Sequence, residues 1–217
     1  MDCRYALYFL PEPDTALERL GQRWLDALPA ELTAEARPYG FHATLKAPFR
    51  LAPGHNQGLL IDSCAAIFAN SRPVVEAPPV LARLNGFFAL RPGVPSAAIH
   101  GLAAECVRRF DHFRAAPTPA ETAKRLQAAL NPRQRHLLER WGYPYVLDEY
   151  RFHITLTRRL DEREAAAAAD LLAPLTAAAV AERLTIASVC LVTQRPGGAF
   201  TLLRRFPLGT ALATDIR

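Results

Sequence analysis

Residues 39–45 read Tyr-Gly-Phe-His-Ala-Thr-Leu, and residues 150–156 read Tyr-Arg-Phe-His-Ile-Thr-Leu. Five of the seven positions agree, and the pair uses two of the six histidines in a chain of 217 residues. Side chains alternate along a strand, so Phe41, Ala43 and Leu45 fall on one face while His42, Thr44 and Lys46 fall on the other. The second copy sorts the same way, with Phe152, Ile154 and Leu156 opposite Arg151, His153, Thr155 and Thr157. The apolar faces repeat because a duplicated sheet needs the same core twice. The polar faces gain nothing from a core, where an imidazole, a hydroxyl and a cation would each need a partner. A cleft between the two copies is the cheaper place for them. Tyr39 and Tyr150, two positions from Phe41 and Phe152, are expected on the buried face.

The flanks repeat in order as well. "RYALYFLP" (4–11) reads as a strand, and Asp14-Thr15 precedes a helical run with Leu17, Leu20, Trp24, Leu25 and Leu28 in register, stopped by Pro29. Tyr5 and Tyr8 lie on opposite faces of that strand, so at most one reaches the cleft. After the first motif come a helix at about 58–70 and apolar runs around Asn85-Gly86, a two-residue hairpin signal. The second half has helical stretches at 96–113 and about 120–141, a Pro-fixed turn or aromatic wall for a sugar or base at "WGYPYV" (141–146), the turn being favoured, then the second motif, an alanine-rich helix at about 161–181, and apolar runs around "RPGG". From His42 to Asn85 is 43 positions and from His153 to Gly197 is 44. The expected fold is α+β and duplicated, two lobes in one domain over 1–217. Each lobe has an antiparallel sheet with helices on its outer face, and the cleft lies between them. The lobes are expected at about 1–91 and 92–217. A helical insertion at about 110–145, without a counterpart before the first motif, is a candidate cover for the site.

Composition narrows the function classes. Half of the residues are hydrophobic, as in an ordinary globular chain. No run approaches the ~20 apolar residues of a membrane span, and the N-terminus lacks a targeting pattern, so the expectation is an unprocessed cytoplasmic protein with no membrane partner. Cys3, Cys64, Cys106 and Cys190 show no Cys-x-x-Cys spacing, which disfavours a disulfide framework or a thiolate zinc site. The net charge of +5 is mostly arginine, with Lys46 and Lys124 the only lysines. That balance suits an anionic ligand, but no basic run interleaved with aromatics marks extended RNA binding. Neither motif has a carboxylate on its histidine face, which disfavours a metal hydrolase. No Gly-rich nucleotide loop is present, which disfavours an ATP-driven reaction, and no cofactor is expected. His55 reads as a loop residue, and His100, His112 and His136 have no partner at metal spacing.

A His and a Thr two apart on a strand can touch one tetrahedral anion, the hydroxyl donating to an oxygen. Two such strands offer two imidazoles, one to take a proton from the attacking oxygen and one to protonate the leaving oxygen. With two His-x-Thr strands in a duplicated α+β chain, the sequence resembles the two-histidine phosphoesterase superfamily, which includes cyclic phosphodiesterases and RNA ligase-type 2′,5′-specific enzymes. The segments "RYALYF", "RPYGFHATLKAPFRL", "FRAAPTP" and "WGYPYV" resemble more closely the branch encoded beside carbon–phosphorus lyase genes for phosphonate breakdown. The resemblance implies catalytic His42 and His153, phosphate-binding Thr44 and Thr155, and a small phosphorylated substrate from phosphonate metabolism, by analogy a ribosyl 1,2-cyclic phosphate. Lys46 and Arg151, on the histidine faces, are further candidates for the phosphate. The rival readings are a module that binds a nucleotide or RNA end without turnover, and an RNA-processing 2′,3′-cyclic phosphodiesterase or ligase. Which histidine is the acid, and the oligomeric state, are left open.

Overall fold

The computed structural model describes residues 3–210. Strand β1 (Arg4–Phe9) is covered on both faces and runs through the middle of the first sheet. Thr15 caps α1 (Ala16–Ala27) by accepting from the Glu18 N–H at 3.1 Å, a cap of about 1 kcal/mol. Leu17, Leu20 and Trp24 form the buried stripe of α1. A short α2 (Ala30–Thr33) and a 3₁₀ turn (Arg37–Tyr39) lead to β2 (Ala43–Phe49), then to α3 (Gln57–Ala69), capped by Asn56, and to β3 (Val74–Glu76).

The Asn-Gly signal marks a hairpin between β4 (Pro79–Leu84) and β5 (Phe87–Pro92). Asn85 and Gly86 both take positive φ, 48° and 93°, the primed-turn geometry that matches strand twist. The expected 96–113 helix is α4 (Ala97–Arg109) followed by a 3₁₀ turn. The expected 120–141 helix is two, α5 (Pro119–Leu126) and α6 (Pro132–Trp141); the Asn131 side chain caps α6, and Pro132 takes its first position. The second half continues with β6 (Ile154–Thr155), α7 (Glu162–Thr176), β7 (Leu184–Ile186), β8 (Ser188–Gln194) and β9 (Phe200–Pro207).

The sheets are antiparallel, in the orders β2-β1-β8-β9 and β4-β5-β6, with a small β3-β7 pair. Every sheet takes strands from both halves of the chain. The late hairpin β8-β9 joins the sheet of the first motif, and the early hairpin β4-β5 joins the strand of the second. The division at 91/92 is therefore not the division between the sheets. A hairpin signal specifies its own turn but not which strand will satisfy its open edge.

Both motifs face one core. Phe41, Ala43 and Leu45 share it with Phe152, Ile154 and Leu156, and with Tyr5, Leu7 and Phe9 of β1. Phe9 and Phe152 rings lie 5.6 Å apart, and the Trp24 indole N–H donates to the Leu156 carbonyl at 2.9 Å. The Tyr150 hydroxyl donates to the Thr44 carbonyl at 3.0 Å, bracing one motif against the other. Among the described residues no helix is long and apolar enough to cross a membrane.

Candidate active site

The chain enters the first motif through Gly40, at φ 72° and ψ −174°, a region open essentially to glycine. That conformation aims the Gly40 carbonyl at the His42 ring, 3.0 Å from Nδ1. A carbonyl only accepts, so Nδ1 carries the proton and Nε2 is left for other work. The second motif repeats the device, with His153 Nδ1 donating to the Arg151 carbonyl at 2.8 Å. In each copy the carbonyl two residues back selects the tautomer.

His42 Nε2 lies 3.2 Å from the Thr44 hydroxyl, which donates to it when the ring is neutral. Tyr8 pairs with Thr44 across β1 and β2 and stacks on the His42 ring, centroids 3.9 Å apart and planes at 26°. Phe200 lies 5.5 Å from Tyr8 and 5.8 Å from Tyr39, making an aromatic shelf beside the histidine. On the other side the His153 ring lies 5.7 Å from Phe87. Burial lowers the His42 pKa from 6.5 to about 4; the Gly40 carbonyl opposes this and the nearby His153 adds to it. Burial also lowers the His153 pKa, against the pull of the Arg151 carbonyl. Burial thus disfavours the charged form of both rings in the free protein, and the charge of His153 adds to the effect at His42.

The four motif residues keep the predicted alternation: His42, Thr44, His153 and Thr155 are half-buried while their sequence neighbours are core. Lys46 does not share that face. Tyr8 lies opposite Thr44 and Leu7 opposite Lys46, so one step on β1 spans two on β2, a β-bulge. The bulge turns Lys46 inward, where it is only 3% exposed, donates to the Val107 carbonyl at 3.3 Å and pairs with Asp111 at 3.7 Å. Arg151 has an exposed side chain, and the contact it supplies to His153 comes from its backbone.

Tyr39 departs from the core reading: it is 41% exposed and its ring stacks on His42 at 6.2 Å. It belongs to the 3₁₀ turn before Gly40, so strand parity does not reach it. Tyr150 is core, as expected. Tyr8 is the site residue that the sequence left undecided; its side chain lies with Ala6 and Val192, on the face of β1 away from Tyr5, Leu7 and Phe9. His100 packs against Tyr150, and His55 against His112 and Phe113. Among the described residues no group of three or more His, Cys, Asp or Glu side chains is placed to hold a metal ion.

Two curated relatives are similar in sequence. The ribose 1,5-bisphosphate phosphokinase PhnN of Janthinobacterium sp. (strain Marseille) is 40% identical over 94% of this chain and 50% of its own length. The protein of the same name from Laribacter hongkongensis (strain HLHK9) is 38% identical over 73% of this chain and 41% of its own. The chain thus spans about half the length of the curated relatives it matches. Among solved structures, Escherichia coli LigT in complex with 3′-AMP is similar at a TM-score of 0.49 and 15% identity, over 96% of this chain and 99% of that one. The family model described as protein of unknown function DUF1045 matches residues 44–201, from the first motif threonine to β9, and the chain belongs to that family.

Proposed function

We propose that the chain is a metal-independent phosphoesterase that hydrolyses a small cyclic phosphate or phosphodiester between His42 and His153. The observation that carries the reading is the paired tautomer lock: each Nδ1–H is tied to a carbonyl two residues back, so that each Nε2 carries the lone pair that proton transfer needs. His42, with its pKa near 4, is the base. Its Nε2 takes a proton from water as the water oxygen bonds to phosphorus. The ester P–O bond breaks, and His153, protonated at Nε2 in the bound state, gives that proton to the departing oxygen. The product is a ring-opened phosphate monoester, or a monoester and an alcohol. One proton has entered at His42 and one has left from His153, and exchange with solvent restores both. An anion bound between the rings favours the imidazolium that the free protein disfavours. Thr44 and Thr155 donate to the phosphoryl oxygens.

The phosphokinase activity in the relatives' name belongs to proteins of twice this length, and this chain carries no Gly-rich loop ending in Lys to cradle a nucleotide. Their PhnN name fits the phosphonate setting implied by the sequence. To test the reading, nucleoside 2′,3′-cyclic and ribosyl 1,2-cyclic phosphates are offered with a strong chelator present. Turnover is expected to persist and to fall by ~10²–10⁴-fold in His42→Ala and in His153→Ala. Activity that disappears with chelator, or that survives both substitutions, rejects the mechanism. Tight binding of these compounds without turnover selects a binding module instead.

A further inference from the structure

A pocket of about 320 Å³ opens beside the histidine face and plays no part in the proton transfers. Arg4, Arg50, Arg114 and Arg125 line it, and Glu121 is the one carboxylate on its described wall. The arginines come from four distant places: the start of β1, the residue after β2, the loop after α4, and α5. Arg50 is paired with Glu121 at 3.1 Å and Arg114 with Asp111 at 2.8 Å. Asp111 is shared further, with Lys46 at 3.7 Å and Arg140 at 3.3 Å, so one carboxylate serves three cations. Arg4 is held by the neutral Gln194 side chain, and Arg125 lies over the Tyr143 ring at 4.5 Å. Among the described residues neither of these last two charges meets a carboxylate.

Tyr39 is the partition between the two sites. Its ring faces His42 at 6.2 Å and also lines the pocket. Arg4 sits over Phe200 at 5.7 Å, and Phe200 stacks on Tyr39 and lies tilted against Tyr8. One aromatic ring, that of Tyr39, thus borders both the imidazole and the pocket that holds the guanidinium cluster. The volume is at the small end for a ligand site and suits a phosphorylated sugar rather than a continuing polymer. Guanidinium forks match the planar oxygen pairs of a phosphate.

We infer that this pocket receives a second phosphate group, a monoester, carried by the same small substrate whose cyclic or diester phosphate lies between the histidines. The inference rests on the phosphoesterase reading for its first phosphate and on the arginine pocket for its second. The test compares cytidine 2′,3′-cyclic phosphate with its 5′-phosphorylated form. The wild type is expected to prefer the 5′-phosphorylated form by roughly 10- to 100-fold in kcat/KM, the worth of charge-assisted hydrogen bonds. Arg4→Ala and Arg125→Ala are each expected to reduce that preference by roughly tenfold. A calorimetric arm uses cytidine 5′-monophosphate with the wild type, His42→Ala, Arg4→Ala and Arg125→Ala. Binding that survives in His42→Ala and weakens in both arginine variants supports the pocket even if no cyclic phosphate is turned over, an outcome that rejects only the phosphoesterase reading. Equal kcat/KM for the two cyclic probes overturns the inference. So does equal affinity for the monophosphate in wild type and both arginine variants, or faster turnover of an RNA oligonucleotide ending in a cyclic phosphate than of the doubly phosphorylated nucleoside.

Discussion

Replacing Gly40 by alanine separates the backbone's part in the site from its packing. A Cβ at Gly40 would meet no atom within 4 Å, so the substitution adds no clash. What it adds is conformational strain, since φ 72° with ψ −174° costs a residue with a side chain about 1–3 kcal/mol. For a chain of this length each kcal/mol lowers Tm by about 2–4 °C, which gives an expected fall of about 2–12 °C. If the peptide rotates to relieve the strain, the carbonyl leaves His42 Nδ1, 3.0 Å away, and the tautomer lock opens. A hydrogen bond of about 1 kcal/mol net corresponds to roughly fivefold in the population of the correct tautomer and ring orientation. Turnover is therefore expected to fall at least about fivefold while the protein stays folded. Thermal melting and kcat on a cyclic phosphate measure the two effects. Arg151, which does not take positive φ, is the control for stability: Arg151→Ala is expected to melt within about 0.5 kcal/mol of wild type. A Gly40→Ala protein with wild-type melting and wild-type kcat refutes the assignment of the carbonyl as the element that sets His42.

Burial lowers the Lys46 pKa from 10.5 to about 8, against the pull of Asp111. The unfolded chain holds the extra proton between those values, so stability rises as pH climbs from 8 to 10, and the cost of the charge is complete below 8. Lys46→Met is expected to gain about 1–3 kcal/mol at pH 7 by urea unfolding, because Asp111 keeps Arg114 and Arg140; a loss at pH 7 means that the bonds to Val107 and Asp111 outweigh the burial penalty and refutes this expectation. For His42, whose pKa falls from 6.5 to about 4, the unfolded chain again binds the proton between the two values. Stability is expected to drop by about 2–3 kcal/mol as pH falls from 6.5 to 4, and His42→Gln to flatten that slope. On the same grounds kcat/KM is expected to be greatest on the acid side of pH 6.5, where His42 is still neutral and His153 takes its proton; a maximum above pH 8 excludes these assignments.

Local rules carried much of the fold. Thr15 caps α1, Asn85-Gly86 turns the first hairpin, and strand alternation separated His42 and Thr44 from Phe41 and Leu45 before any contact was visible. What stayed hidden was of two kinds. A bulge breaks alternation without a sequence mark, so alternation alone puts Lys46 on the histidine face while the fold turns it into the core. Partner choice is not local either: the arginines at 4, 50, 114 and 125 have no periodicity along the chain and meet only after folding. The identical letters Tyr39 and Tyr150 make the same point. One stands in a turn beside the site and the other crosses the core to the opposite motif, because the backbone around each differs.

The exchange of hairpins between halves has a consequence for how the molecule comes into being. The first motif strand and β1 are made early, but the sheet they belong to is closed by β8 and β9, more than 130 residues later in the chain. Such distant pairing makes folding slow and places its cooperative step late in synthesis. A chain carrying only one copy of the motif could complete the same sheets only against a second molecule, lending its hairpin and borrowing another. Tandem repetition turns that bimolecular event into an intramolecular one, so the two motifs come to share one core at a high effective concentration whatever the abundance of the protein.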